Sequence, residues 1–207
     1  MIGNEFLTEV CQKDLSTDIE EINKRLDEDN VFVVIDIETT NLSKDARIFK
    51  LEAAKIKDGK EIERFNTLVN PHTRLMTKIE ELTGISNDAL KDAPDIEKIL
   101  PEFFDFIGNH LLVLQHPKYI LGFLEKEMKN TDRNILNPFV DIRELSVLKN
   151  PDFRYGPHSK LKTLLPSDFD FNDYIRMVYE IFLKLLRDEN SNLCVTNAPR
   201  EEPTTEA

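Results

Sequence analysis

Residues Val31–Thr40 read VFVVIDIETT and form the strongest strand pattern in the chain. Its first five residues are apolar and mostly β-branched, which is typical of a short strand covered on both faces. Asp36 and Glu38 follow two residues apart, so their side chains point to the same face of that strand. Carboxylates are costly in such a place unless a cation lies between them, and a divalent metal with oxygen ligands is the obvious candidate. The alternative is that the strand ends here and water solvates both acids.

Composition bounds the class of protein. The chain has 207 residues, of which 40% are hydrophobic and 32% charged, which is typical of one globular domain. No apolar run approaches the roughly 18 residues needed to cross a bilayer, and the start lacks a signal-peptide pattern. The cysteines, Cys11 and Cys194, lie near opposite ends without metal-ligand spacing, so we expect a cytoplasmic protein. A net charge of −12 argues against bulk electrostatic binding of nucleic acid and favours a protein partner.

Residues 1–30 precede the central strand and are predicted to form an N-terminal helical extension. Thr17 is a candidate N-cap, with Glu20 three residues later completing a capping box. A narrow apolar stripe at helical spacing follows, made of Leu15, Ile19, Ile22 and Leu26. The stripe either packs on its own domain or docks on another protein.

The main domain is predicted to span residues 31–188. Two strand candidates, Ile48–Lys57 and Glu61–Val69, flank an Asp-Gly pair that favours a type I′ hairpin turn. Further along the chain, helical patterns alternate with two more short strands, which predicts a mixed α/β sheet. Residues 189–207 turn polar and are predicted to be a disordered tail.

Several motifs occur together in a specific order along the chain. They are Asp36–Thr40 (DIETT), Glu80–Ile85 (EELTGI), Asp92–Pro94 (DAP), Leu100–Phe103 (LPEF), Val140–Asp141 (VD) and Glu180–Leu183 (EIFL). With these motifs, residues 31–187 resemble the DEDD-type 3′–5′ exonucleases, the group that includes the proofreading epsilon subunit of bacterial DNA polymerase III and ribonuclease T. The resemblance implies a ribonuclease H-like fold with a five-stranded mixed sheet flanked by helices.

The resemblance also implies a site. In active members, four carboxylates hold two divalent ions, Mg²⁺ or Mn²⁺, and a histidine is the general base for the attacking water. Asp36 and Glu38 match the first two metal ligands. Alignment on Phe123-Leu124 puts Ile120 where the family has its second-motif aspartate, and a one-residue shift puts Leu121 there.

The third motif departs from the family as well. Alignment on the closing EIFL puts Phe169 at the histidine and Tyr174 at the aspartate. Asp170 and Asp173 are candidate substitutes, although on a helix Asp173 is turned by about 100° from the needed direction. Asp168 is a further candidate for a relocated ligand. The alternative is that all three are solvated acids of the loop before the helix.

Three functions follow from this pattern. The preferred hypothesis is a catalytically degenerate exonuclease-fold protein that acts by binding, with a partner in replication or repair and with a vestigial metal site or none. The second is an active metal-dependent 3′–5′ exonuclease on DNA or RNA ends with rearranged ligands. The third is weak nucleic-acid binding without cleavage, for which Lys118 and Arg176 are the nearest candidate cations.

Overall fold

The computed structural model describes residues 13–41, 43, 45–129, 133–155 and 158–187. The strands are β1 Val31–Thr39, β2 Ile48–Lys57, β3 Lys60–Leu68, β4 Leu111–Leu114 and β5 Phe139–Asp141. They form one sheet in the order β3-β2-β1-β4-β5, in which β4 runs parallel to β1 and β5, and the other neighbours are antiparallel. The predicted five-stranded mixed sheet is therefore confirmed.

Helices flank this sheet. The α-helices are α1 Ile19–Asp29, α2 Thr77–Thr83, α3 Asn87–Lys91, α4 Ile96–Ile107, α5 Pro117–Met128, α6 Ile142–Lys149 and α7 Tyr174–Arg187. Two 3₁₀ segments, Pro151–Tyr155 and His158–Leu164, lie between α6 and α7. No helix in the described parts of the chain is long and apolar enough to span a membrane.

The β2–β3 connection is the tight hairpin that the Asp-Gly pair predicts. Asp58 and Gly59 both have positive φ, 52° and 72°, as a type I′ turn requires. The turn pairs Lys57 with Lys60, and a bulge between Lys55 and Ile56 then shifts the register by one residue. This shift places Ala54 opposite Arg64 and Glu52 opposite Asn66.

The central strand β1 is covered on both faces. Val33, Ile35 and Ile37 belong to one core cluster, with side chains of α4 and α5. Phe32 and Val34 belong to a second cluster, with side chains of α6 and α7. Since side chains alternate along a strand, Asp36 and Glu38 continue the face on which α7 lies.

The segment before β1 packs onto this same sheet. Leu15 N donates to Phe139 O at 2.8 Å, and Phe139 N donates to Lys13 O at 3.0 Å, so residues 13–15 lie alongside β5. The stripe of α1 faces the second core cluster, where Ile22 is fully buried. Of the two alternatives for this stripe, the structure supports packing within the domain.

One local prediction in this segment is wrong. Thr17 does not cap α1, because the helix begins one residue later and Asp18 is the N-cap, whose Oδ1 accepts from Glu21 N at 3.0 Å. Residues 1–12 of the predicted extension, the predicted tail at 189–207 and both cysteines lie outside the described residues.

Candidate functional site

The β1–β2 ladder places charged side chains opposite the acidic pair. Asp36 lies opposite Glu52, and Glu38 lies opposite Lys50. Residues directly opposite in an antiparallel pair share a face of the sheet, so all four side chains stand on the side of α7. Lys50 Nζ lies 2.5 Å from Glu52 Oε2. Strands β1 and β2 together therefore present three carboxylates on this face, with the Lys50 ammonium among them.

Strand β3 adds a guanidinium to the same face. Arg64 Nη1 lies 2.9 Å from Glu52 Oε1, and Arg64 Nη2 lies 2.6 Å from Glu61 Oε2. Arg64 Nη2 is also 2.8 Å from Asp173 Oδ2. One arginine thus connects β2, β3 and the residue that precedes α7.

The start of α7 closes the other side. Asp173 Oδ1 accepts from Arg176 N at 2.9 Å, so Asp173 caps the helix while it pairs with Arg64. Tyr174 donates from its hydroxyl to Gln115 Oε1 at 2.6 Å. Gln115 follows β4 directly and is buried. Burial raises the pKa of Tyr174 further above its ordinary value, and the nearby acids add to this effect.

A second tyrosine lies on the α5 side of the acidic pair. The Tyr119 hydroxyl hydrogen-bonds to Oγ1 of the buried Thr39, and that Oγ1 also donates to Asn41 O at 2.7 Å. Burial raises the pKa of Tyr119, with a smaller contribution from Glu38 and Asp36. Both phenols are therefore held neutral beside the carboxylates.

The pKa of each carboxyl of the acidic pair, Asp36 and Glu38, is raised above its ordinary value. Burial raises the pKa of Asp36 to about 7, and repulsion from Glu38 contributes next. Burial also raises the pKa of Glu38, while the positive charge of Lys50 opposes that rise. Lys50 is the second-largest influence on the pKa of Glu38, and it is the smallest of the influences named for the pKa of Asp36.

These groups surround a cavity of about 370 Å³. Its lining consists of Asp36, Glu38, Lys50, Glu52, Arg64, Leu82, Thr83, Ile85, Asn172, Asp173 and Tyr174. Of the residues that the sequence singles out as site residues or substitutes, four meet here: the acidic pair, Asp173 and Tyr174. The end of α2 supplies Leu82 and Thr83 to this lining, and the turn that follows supplies Ile85.

The other sequence-derived positions lie elsewhere. Ile120 is only 2% exposed and belongs to the core cluster under α4 and α5. Phe169 packs on Phe171 with ring centroids 5.1 Å apart, and the Arg176 guanidinium lies 5.3 Å from the Phe169 centroid. Asp170 Oδ1 accepts from Asn172 N at 3.0 Å within its own loop. Ile120, Phe169 and Asp170 are therefore absent from the lining of the cavity.

The cations of the cavity are residues that the sequence reading missed. It pointed to Lys118 and Arg176, whereas Lys50 and Arg64 line the site. The only local signal is the spacing of Lys50 and Glu52, two apart on a predicted strand and therefore on one face. Which strand they oppose, and in which register, is set by tertiary pairing.

The residues present do not fit a pair of divalent ions. Glu52 and Asp173 are held by Arg64 at 2.9 and 2.8 Å, so the described lining of the cavity offers no free third carboxylate beside Asp36 and Glu38. Within the described ranges, no three His, Cys, Asp or Glu side chains are grouped so that they could hold a metal ion.

Comparison with known proteins gives a consistent picture. Residues 33–190 match the RNase T family model, described as an exonuclease. The chain is 35% identical over 175 residues to the PolC-type DNA polymerase III of Bacillus subtilis, a match that covers 79% of this chain and 12% of that polymerase. It is 36% identical over 163 residues to the PolC-type polymerase of Oceanobacillus iheyensis, covering 77% of this chain and 11% of that protein. The chain thus spans about an eighth of the length of these relatives.

Solved structures share the fold. A full-length 3′-exonuclease superimposes with a TM-score of 0.63 at 17% identity, covering 78% of this chain and 84% of that one. The nuclease domain of 3′hExo, a DEDDh family member bound to rAMP, gives a TM-score of 0.61 at 19% identity, covering 77% and 93%. Exonuclease X in complex with 5′ overhanging duplex DNA gives 0.57 at 16% identity, covering 75% and 90%.

Proposed function

Because the chain belongs to the RNase T exonuclease family, of the DEDDh 3′–5′ type with a ribonuclease H-like fold, we propose that it is a catalytically degenerate member that acts by binding rather than by cleavage. The observation that carries the proposal is the state of the third-motif region. Tyr174 replaces the expected aspartate and is hydrogen-bonded to Gln115, while the neighbouring Asp173 is paired with Arg64.

These residues do not support the two-metal reaction by which the family hydrolyses phosphodiesters. When bound, two divalent ions activate a water and stabilise charge on the phosphate during in-line displacement. Asp36 and Glu38 supply two of the four carboxylates that the family uses for those ions. Ile120 lies in the apolar core instead of supplying a third. Phe169 offers no base, and the loss of a general base alone costs about 10²–10⁴-fold in rate.

The expected partner is a protein of replication or repair. The relatives at about 35% identity are named as PolC-type DNA polymerase III, which supports a setting in DNA replication. The net charge of −12 supports a protein partner over bulk nucleic-acid binding. A cytoplasmic location and weak contact with nucleic acid remain part of this proposal.

One observation favours a second candidate function, an active exonuclease with rearranged ligands. Asp173 lines the same cavity as Asp36 and Glu38. Release of Asp173 from Arg64 would supply a third carboxylate for Mg²⁺ or Mn²⁺. Asp170, the other candidate substitute, gives no such support, because its Oδ1 accepts from Asn172 N within its own loop.

The deciding experiment is degradation of 3′-labelled single-stranded DNA and RNA in Mg²⁺ or Mn²⁺. We expect the wild type to shorten the strand no faster than an Asp36→Ala variant, with an active exonuclease of the same family as the positive control. Metal-dependent shortening that is absent in Asp36→Ala would establish the second function and reject the first.

A further inference from the structure

Two cations are built into the acidic cavity. Lys50 and Arg64 both contact Glu52, one at each carboxylate oxygen, at 2.5 and 2.9 Å. The side chains of both cations are 25% exposed, and that of Glu52 is 14% exposed. At this burial they are fixed parts of the sheet face rather than solvated surface charges.

Arg64 is held from several sides. Its guanidinium donates to Glu61 at 2.8 and 2.6 Å and to Asp173 at 2.8 and 3.3 Å. A planar guanidinium presents its donors in a rigid fork that matches carboxylates, so this arrangement is specific for arginine. The charge of Arg64 is therefore locked between β2, β3 and the start of α7.

We propose that Lys50 and Arg64 are permanent internal counter-ions that stand in for divalent cations and exclude Mg²⁺ and Mn²⁺ from Asp36 and Glu38. This inference rests on the proposed function and states how the site came to lack metal chemistry. In this view, Lys50 and Arg64 both hold carboxylates that a metal pair would need and neutralise part of the negative charge of the cavity.

The geometry gives the reason for exclusion. Lys50 lies directly opposite Glu38 in the ladder, so its positive charge is on the same face of the sheet as a dication bound to Glu38 would be. Arg64 occupies the remaining carboxylates, Glu52 and Asp173. A divalent ion entering the cavity would face repulsion from both cations and would find only two ligands free.

Removal of the two cations should therefore uncover a cation site. In a Lys50→Gln/Arg64→Gln double variant, Glu52 and Asp173 lose the cations that hold them and can turn towards the acidic pair in the same cavity. Carboxylate oxygens gathered in this way suit Mg²⁺ or Mn²⁺. We expect this variant to bind Mn²⁺ at least about tenfold more tightly than the wild type, measured by electron paramagnetic resonance titration.

The matched control is a Lys55→Gln/Arg25→Gln double variant. It makes the same change in net charge at positions away from the cavity. Lys55 lies on the opposite face of β2 and pairs with Glu63 of β3, and Arg25 pairs with Glu21 within α1. Its affinity for Mn²⁺ should equal that of the wild type within about twofold. Equal affinity of the two double variants would overturn the inference while leaving the proposed function intact.

Two single variants of Arg64 complete the test. Arg64→Lys retains the positive charge but loses the fork of donors that holds Glu52 and Asp173, so its affinity for Mn²⁺ should lie between those of the wild type and of Arg64→Gln. If circular dichroism shows that the Lys50→Gln/Arg64→Gln variant is unfolded, the single Arg64→Gln variant carries the same expectation. Mn²⁺ broadening of the Asp36 and Glu38 amide signals in the wild type would also overturn the inference, and the cleavage assay then judges the proposed function separately.

Discussion

Tyr174 and Gln115, 59 residues apart in the chain, are joined by a hydrogen bond of 2.6 Å between the tyrosine hydroxyl and the glutamine Oε1. The bond links the start of α7 to the end of β4. Alignment on the closing EIFL puts Tyr174 at the family's third-motif aspartate. We infer that a neutral side chain, hydrogen-bonded to a second neutral side chain, stands in place of that carboxylate.

Loss of this bond should be measurable as stability. Tyr174→Phe leaves the buried Gln115 oxygen without its phenolic donor, and we expect a loss of about 1–3 kcal/mol in the free energy of unfolding by urea. Tyr179→Phe is the control on the same helix, because no hydrogen bond joins the Tyr179 hydroxyl to another of the described residues. Equal losses in the two variants would show that the Tyr174–Gln115 bond contributes nothing.

Asp36 should make stability depend on pH. Its pKa is about 7 in the folded protein against an ordinary 3.8, so the folded state binds more protons between these values. Stability therefore falls as pH rises from about 4 to about 7, and the cost persists at higher pH. Asp36→Asn should raise the unfolding free energy at pH 8 by on the order of 2–4 kcal/mol and leave it unchanged below pH 4.

Urea unfolding of wild type and variant at pH 4, 6 and 8 checks this expectation. Asp168→Asn, at an exposed position, is the control for a change of one charge. A gain in Asp36→Asn that is the same at all three pH values would contradict the assigned cause. Added Mn²⁺ should stabilise neither protein if the site excludes metal ions.

Restoring the second-motif aspartate should damage the fold. Ile120 is 2% exposed among the side chains of α4 and α5, so Ile120→Asp buries a carboxylate in an apolar cluster. We expect a loss of about 3 kcal/mol or more, against about 0.5–1.5 for Ile120→Val. A well-folded Ile120→Asp variant, judged by its thermal unfolding midpoint, would mean that this position opens towards the site.

The segment before β1 should belong to the cooperative unit. Leu15 is fully buried in the second core cluster, whereas Leu26 is only partly buried there. Leu15→Ala should cost about 2–4 kcal/mol in a single unfolding transition, and Leu26→Ala should cost less. A negligible effect of Leu15→Ala would support the division of the chain at residue 30.

Local patterns were enough to predict much of the fold. The apolar run Val31–Ile35 is confirmed as the central strand, because a strand buried on both faces needs no tertiary information to be recognised. The Asp-Gly pair is confirmed as a two-residue turn, since its positive φ angles are a property of those residue types. The motif order identified the family, and the family model and structural neighbours agree with it.

The strands of the sheet and the shared face of Asp36 and Glu38 follow from local patterns, because side-chain alternation along a strand is a local property. The charges that surround that pair depend on tertiary contacts. The β1–β2 register brought Lys50 and Glu52 opposite it, and the placement of α7 brought Asp173 onto Arg64. Such partners are distant in sequence, and a shift of one residue would turn the β2 side chains to the other face of the sheet. The electrostatics of the site are therefore a property of strand register and helix packing.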